Sequence, residues 1–494
     1  MARFVNTTES ISSSLMLWRD RSTQIAIEDT FTQKIWPVQD NLNTGNPSTF
    51  NIPPQPNGMM TDIEVVTKFH VNREFPDSIE GVWDAGLSVV NNFANALWSL
   101  VEIKMDDRVD LMQSMHNAYA YSSFFNHALN SDSTHEDYLF YNELFKMDDD
   151  TCKLKKDTTS NYWISHTEAY TKKTEEISSD STLSVSQRSI EAANFLTDKS
   201  KWERDLQSNG GGDRSERVYK GESVTTCAKL QCPLLNTSKC LPTNMKIRVS
   251  LTKNNDKFLI MSKHTSQSDD HPKFSIVIED VYLAVTYYRP RDQILRAIET
   301  RLQREPAPYF ISKPEIIIKP VTHQNRVIRI TDVFHDKLPP YAFFCLQDSN
   351  DFEGSFIGNP FNFIPFKRFQ FYVNGAPYFN DALEVGRVDD EGMYHDFGTY
   401  LRQLYRTVGK DLKGNCLINS SNFLLHFMVG MSFGADKSST ADNHLNLQEK
   451  ATTYLEIDMG IKESDIPADM ILIAYAVYDR QIQIDGNRKI KIID

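Results

Sequence analysis

The sequence predicts an all-β protein, a double jelly roll: two sequential eight-stranded jelly rolls with short helices in the loops. Three observations lead there. Apolar and polar residues alternate through most of the chain, the period of half-buried strands. A unit of strand, tight turn and short helix occurs twice, first from residue 96 and again from residue 359. Each half then closes on a β-branched, aromatic run, at residues 274–288 and 471–478.

Residues 1–45 mix Ser, Thr and Asn with Leu15, Leu17, Trp18, Ile35 and Trp36, and are expected to form an N-terminal arm that docks on something. The first jelly roll is placed at 46–290. It opens with strands at 48–52 and 62–72, the latter bounded by Gly58 and Pro76. Val101, Ile103 and Met105 alternate with Glu102 and Lys104 before a turn at Asp106-Asp107, and a helix follows on Tyr121, Phe124, Phe125 and Ala128. From about 150 to 222 the composition turns to Lys, Ser, Thr, Asp and Glu. This reads as an exposed insertion with one helix near 187–206 and an end at Asn209-Gly210-Gly211-Gly212. Strands resume with Ile247, Val249 and Leu251, turn at Asn254-Asn255, and finish at Tyr288-Arg289-Pro290.

Ile294, Leu295, Ile298 and Leu302 give a linker helix within 291–307, broken by Pro306 and Pro308. The second jelly roll takes 308–494, with strands at 315–319 and 327–330. In it Phe361, Phe363, Phe369, Phe371 and Val373 fall on alternate positions of one expected strand, which Asn374-Gly375 closes as a type I′ turn. Phe397, Leu401, Leu404 and Val408 then recur at helical spacing up to Gly409 and Lys410. A terminal hairpin sets Ile482 and Ile484 against Ile490 and Ile492 across Asp485-Gly486.

The 494 residues suffice for two or three domains with cores of their own. A net charge of −13 argues against a direct nucleic-acid ligand, because phosphate binding needs a concentrated positive field. The N-terminus has no apolar run of signal-peptide length and no stretch reaches the length of a membrane span, so a soluble protein made inside a cell is expected, with no membrane span. Cys152, Cys227, Cys232, Cys240, Cys345 and Cys416 are too few for a disulfide framework and read as reduced thiols.

Signals for chemistry are weak. Gly430-Met431-Ser432-Phe433-Gly434 matches G-x-S-x-G after the strand-like residues 423–429, but a nucleophile elbow needs a helix next, and only His444 lies downstream. The twelve histidines form no H-x-H or H-x-x-x-H pair. Cys227, Cys232 and Cys240 lack a nearby fourth ligand, and Asp148-Asp149-Asp150 reads as an acidic loop edge facing water. No catalytic, cofactor-binding or metal residue is assigned, no cofactor is expected, and the chain is not expected to be an enzyme. Two repeated sandwiches with long loops fit surface-to-surface assembly.

Residues 351–375 (DFEGSFIGNPFNFIPFKRFQFYVNG), 422–432 (NFLLHFMVGMS) and 471–485 (ILIAYAVYDRQIQID) carry a family likeness, as do 97–107 (LWSLVEIKMDD), 117–121, 246–253 and 278–285 in the same order. From about residue 25 to the end the chain resembles the hexon-like double jelly-roll major capsid proteins of Polinton/Maverick-type, adintovirus-like and related small eukaryotic DNA viruses. The resemblance implies two upright jelly rolls per chain and a homotrimer forming a pseudo-hexagonal capsomer. It also implies an icosahedral capsid, partners among neighbouring capsomers and penton- and cement-type minor capsid proteins, and a place in the virion. It implies no enzymatic residues. The other reading is a monomeric β-sandwich module that binds a glycan or a protein.

Overall fold

The computed structural model describes residues 24–39, 41–74, 87–105, 109–110, 115–148, 209–218, 221–262, 273–322, 326–334, 337–356, 359–388, 394–409, 416–434, 446, 448–460 and 469–493. In the first half the chain runs through β1 (Ile27–Ile35), β2 (Ser48–Ile52), β3 (Met59–Glu74), β4 (Leu87–Val89), α1 (Phe93–Ala96), β5 (Trp98–Met105), β6 (Val109–Asp110), α2 (Ala118–Asn130) and α3 (Ser133–Glu143). It continues through α4 (Asn209–Val218), β7 (Val224–Lys229), β8 (Ile247–Lys253), α5 (Asp256–Leu259), β9 (Ile260–Ser262) and β10 (Lys273–Pro290). Helix α6 (Asp292–Arg304) leads to the second half: β11 (Ala307–Thr322), β12 (Val327–Thr331), β13 (Tyr341–Asp348), α7 (Ser349–Glu353), β14 (Arg368–Val373), β15 (Ala376–Pro377) and β16 (Leu383–Glu384). The last elements are β17 (Arg387–Val388), β18 (Tyr394–His395), α8 (Gly398–Thr407), β19 (Val429–Ser432), β20 (Thr453–Asp458), β21 (Asp469–Ile484) and β22 (Ile490–Ile493).

The two halves share one topology. Sheets β1-β10-β3-β7 and β2-β8-β5-β6 make the first, and β11-β21-β13-β19 and β12-β20-β14-β15 make the second in the same order. Each is a jelly roll of two facing antiparallel sheets. The strands that the sequence paired as copies, β5 with β14 and β10 with β21, occupy equivalent places. Alternation builds both cores: Val101 and Ile103 of β5 face inward opposite Leu251 and Val249 of β8. In the second roll Phe344 of β13 meets Phe369 (5.7 Å) and Phe371 (5.5 Å) of β14 across the sandwich. Asn374 (φ 51°) and Gly375 (φ 80°) supply the two positive φ angles of the tight turn into β15.

Strand β10 shows how alternation survives an irregularity. Phe274, Ile276 and Ile278 are buried before the register shift at Glu279, and Val281, Leu283, Val285 and Tyr287 after it. One extra residue moves the inward parity from even to odd. Glu279 stays outside, where Lys68 (2.7 Å) and His70 (2.8 Å) meet its carboxylate.

Several expectations need correction. The first sheet begins at β1, inside the stretch read as an arm, and Ile35 and Leu42 are buried; residues 1–23 lie outside the described residues. The Phe361–Val373 alternation is not one strand: β14 starts at Arg368, and Phe361 and Phe363 are buried in irregular chain. The strand-like 423–429 run is turn up to His426, with strand only from Val429. The glycines at 210–212 open helix α4 instead of closing a loop. The expected helix at 187–206, the turn at Asp106-Asp107 and His444 lie outside the described residues.

Strand β11 is an edge strand, and Pro308, Pro314 and Pro320 share one parity along it. A proline facing β21 would break a ladder bond, so all three ring nitrogens sit on the outer rim and leave three gaps in its row of donors for a further strand. Replacing the three prolines by threonine is expected to raise light scattering and thioflavin binding on mild heating relative to wild type. Unchanged aggregation would show that the prolines do not guard the edge.

Candidate functional site

The feature that organises the molecule is the joint between its halves. The apolar face of α2 lies against the second roll. Phe124 stacks on Phe361 (4.6 Å between centroids, 13°), and Phe125 stacks on Phe363 (5.7 Å, 8°) and on Tyr475 of β21 (5.1 Å). The Tyr121 ring stacks on Phe352 of α7 (5.3 Å). Its hydroxyl lies 2.8 Å from Gln347 Oε1 and 2.9 Å from the Pro360 carbonyl, and burial pushes its pKa well up. The C-terminal end of α2 is covered too, since the Leu417 amide and the Cys416 thiol both reach the Ala128 carbonyl.

Beside these rings lies a buried polar cluster. The Arg214 guanidinium of α4 donates from Nε to the Val89 carbonyl (3.0 Å), from Nη1 to the Lys146 carbonyl (2.9 Å) and from Nη2 to both Asp148 carboxylate oxygens (3.0 and 3.2 Å). Asn359 of the second half donates to the same carboxylate (2.6 Å). Arg214 is 0% exposed and Asp148 1%. A methyl group on Gly210 would run into Asp148 Oδ1, so glycine is what lets α4 approach. Asp148 is therefore no water-facing acidic edge; Asp149 and Asp150 lie outside the described residues.

A second tie lies at the terminal hairpin. Arg488 donates to the Thr243 carbonyl (2.8 Å), the Thr243 hydroxyl (2.9 Å) and Glu299 of α6 (2.5 Å). Burial disfavours the Glu299 charge, yet Arg488 and Thr243 hold its pKa below the usual value.

The remaining sequence candidates do not converge. Ser432 ends β19, paired with Tyr341 of β13 in an antiparallel ladder, and is 5% exposed. Its carbonyl accepts from Tyr378, and what surrounds it is the side of a sandwich, not an elbow between a parallel strand and a helix. Burial, then the neighbouring Glu64 charge, pushes the Cys227 thiol up to about 12, and burial takes Cys232 to about 11. Among the described residues no three His, Cys, Asp or Glu side chains are grouped to hold a metal ion, and no helix is long and apolar enough to cross a membrane.

Breaking one side of a buried pair leaves an uncompensated charge, at about 3–5 kcal/mol, whereas removing both sides costs far less. Arg214→Met is thus expected to lower stability by about that amount in denaturant titration, and Arg214→Met with Asp148→Asn to recover a large part of it. Additive losses in the double variant would contradict the pairing.

No protein-family model matches the chain. It is 21% identical over 268 residues, 54% of its length, to an uncharacterised protein of Caenorhabditis elegans, and the match spans 62% of that relative. Solved structures match from end to end. A chain of the Sputnik virophage has a TM-score of 0.57 at 10% identity, covering 99% of this chain and 93% of that one. The major capsid protein of mavirus gives 0.52 at 10% (100% and 96% covered), and that of Faustovirus 0.51 at 8% (94% and 92%). With eight strands in the same order in each half and a match running through both, the chain is an all-β double jelly roll, the fold of these viral capsid proteins.

Proposed function

We propose that the protein is a major capsid protein, which self-assembles into pseudo-hexagonal homotrimeric capsomers that tile an icosahedral shell. The observation that carries this reading is the likeness to virophage and Faustovirus capsid structures over the whole chain, with both rolls included. The finer placing among Polinton/Maverick-type elements rests on the resemblance carried by residues 351–375, 422–432 and 471–485. The role is assembly without a catalytic step, and the place of action is the virion.

The surface is consistent with this. Trp36, Val38, Phe310, Val327 and Ile492 are large apolar side chains left exposed on the single chain, and contacts with further copies or with minor capsid proteins would cover such groups. The acidic balance leaves genome neutralisation to other proteins.

Size-exclusion chromatography with light scattering is expected to give a particle of three times the 56.8 kDa chain, with a hexagonal outline in negative stain. A compact monomer would sink the proposal and turn attention to a glycan- or protein-binding module. Residues 152–206 are proposed to be dispensable for the trimer contacts. Replacing residues 152–206 by a short Gly/Ser linker is then expected to leave the trimer intact, because Asp148 and Arg214 pin the two ends of this stretch together. Loss of the trimer with retained folding would place the insertion in the interface instead.

A further inference from the structure

His426 sits in the turn before β19, 0% exposed, where the two halves meet. Its ring centroid is 5.6 Å from that of Phe124 of α2. Nδ1 lies 2.8 Å from the Phe361 carbonyl, and a carbonyl only accepts, so this nitrogen carries the proton of a neutral ring. Nε2 is buried and finds no partner in hydrogen-bonding geometry. The charged groups that act on the ring, Asp148 and Arg214, come from the first half. Asp148 is already engaged by Arg214 and Asn359.

We propose that His426, with Asp148, Arg214 and Asn359, forms an acid-sensitive latch: the neutral ring lets the two rolls close, and protonation releases the joint. A proton on His426 would put a second buried cation beside Arg214, against one carboxylate that Arg214 occupies. Burial, the largest effect, holds the ring's pKa below 6.5, and Arg214 adds to it; the Asp148 charge and the Phe361 and Asp148 backbone act the other way without reversing it. The folded state therefore holds fewer protons than the open one below the ordinary histidine value. The closed joint is fully favoured above about pH 6.5, and each unit below shifts the balance up to about tenfold toward the open form, until the folded pKa is reached. Opening exposes the aromatic face of α2 and leaves each sandwich intact.

The test compares full-length wild type with His426→Asn, whose amide can still donate to the Phe361 carbonyl but does not titrate. The melting temperature of wild type is expected to fall more than that of His426→Asn between about pH 7.5 and about pH 5.5. Parallel curves would overturn the latch. His127, also buried, pairs with Glu143 within the first half and is common to both proteins, so it cannot account for a difference between them. Should His426→Asn not fold, His426→Phe keeps the ring contact with Phe124 and serves in its place. Hydrogen exchange on wild type decides independently. After correction for the intrinsic rate, acid is expected to deprotect α2 and residues 359–363 ahead of β3 and β10. Uniform deprotection, or none, counts against the proposal.

Discussion

The aromatic side chains of α2 are packed from both halves of the chain. Phe258 and Phe145 of the first half lie against Tyr121 and Phe124, and Phe352, Phe361, Phe363 and Tyr475 of the second half cover Tyr121, Phe124 and Phe125 from the other side. Buried residues accordingly form one apolar cluster reaching from Ile35 to Ile484. Each buried Phe contributes roughly 1.5–3 kcal/mol, so undocking the rolls would forgo several such contributions at once. Offset stacks are also geometrically restrictive, so the same rings that join the rolls fix their relative orientation. The proposed shell subunit would need that property, since an error in the angle between rolls would recur in every copy.

The polar cluster adds specificity to this apolar joint. A buried ion pair adds little net stability over an apolar pair of the same shape, and Asp148 and Arg214, both of the first half, compensate each other there. The specificity across the joint comes from Asn359, whose buried amide would lose its carboxylate acceptor in any other register. Asp148 and Arg214 also flank the stretch from 149 to 208, so the chain leaves and re-enters the fold at one rigid point. Whatever that stretch presents, its base cannot move relative to the joint.

Alternation and turn chemistry made the sandwiches legible. β5, β8 and β10 follow from period-two burial, β21 from a continuous β-branched and aromatic run buried from Met470 to Tyr478, β14 from its alternating Phe369, Phe371 and Val373, and the Asn374-Gly375 turn from positive-φ residues, all of them local properties. The duplication was legible for the same reason, since like strands sit at like places in each half. The joint was not. Phe361 and Phe363 keep the parity of Phe369 and Phe371 by coincidence, and nothing local separates a ring buried inside a sandwich from one buried between two. Arg214 follows a glycine run, which reads as loop until the approach to Asp148 explains the glycines. His426 stands in an apolar run like any core residue. Partners this far apart in sequence leave no local pattern, and β1 was missed for a related reason: its polar outward residues resemble those of an arm.

A closed joint and guarded edges together determine how such a protein can associate. Open sheet edges pair with almost any strand, because backbone donors and acceptors carry no sequence information. On β11 the three prolines interrupt the row of donors along the outer rim, while Phe310 between the first two is 50% exposed, with the Lys239 ammonium 5.5 Å from its ring centroid. The strand offers a broken row of backbone donors and presents a side chain. Contact through side-chain faces depends on shape and charge, so it selects one partner surface in one orientation and rejects the rest. If the chain meets many copies of itself, as proposed, that is the difference between a closed lattice and an aggregate.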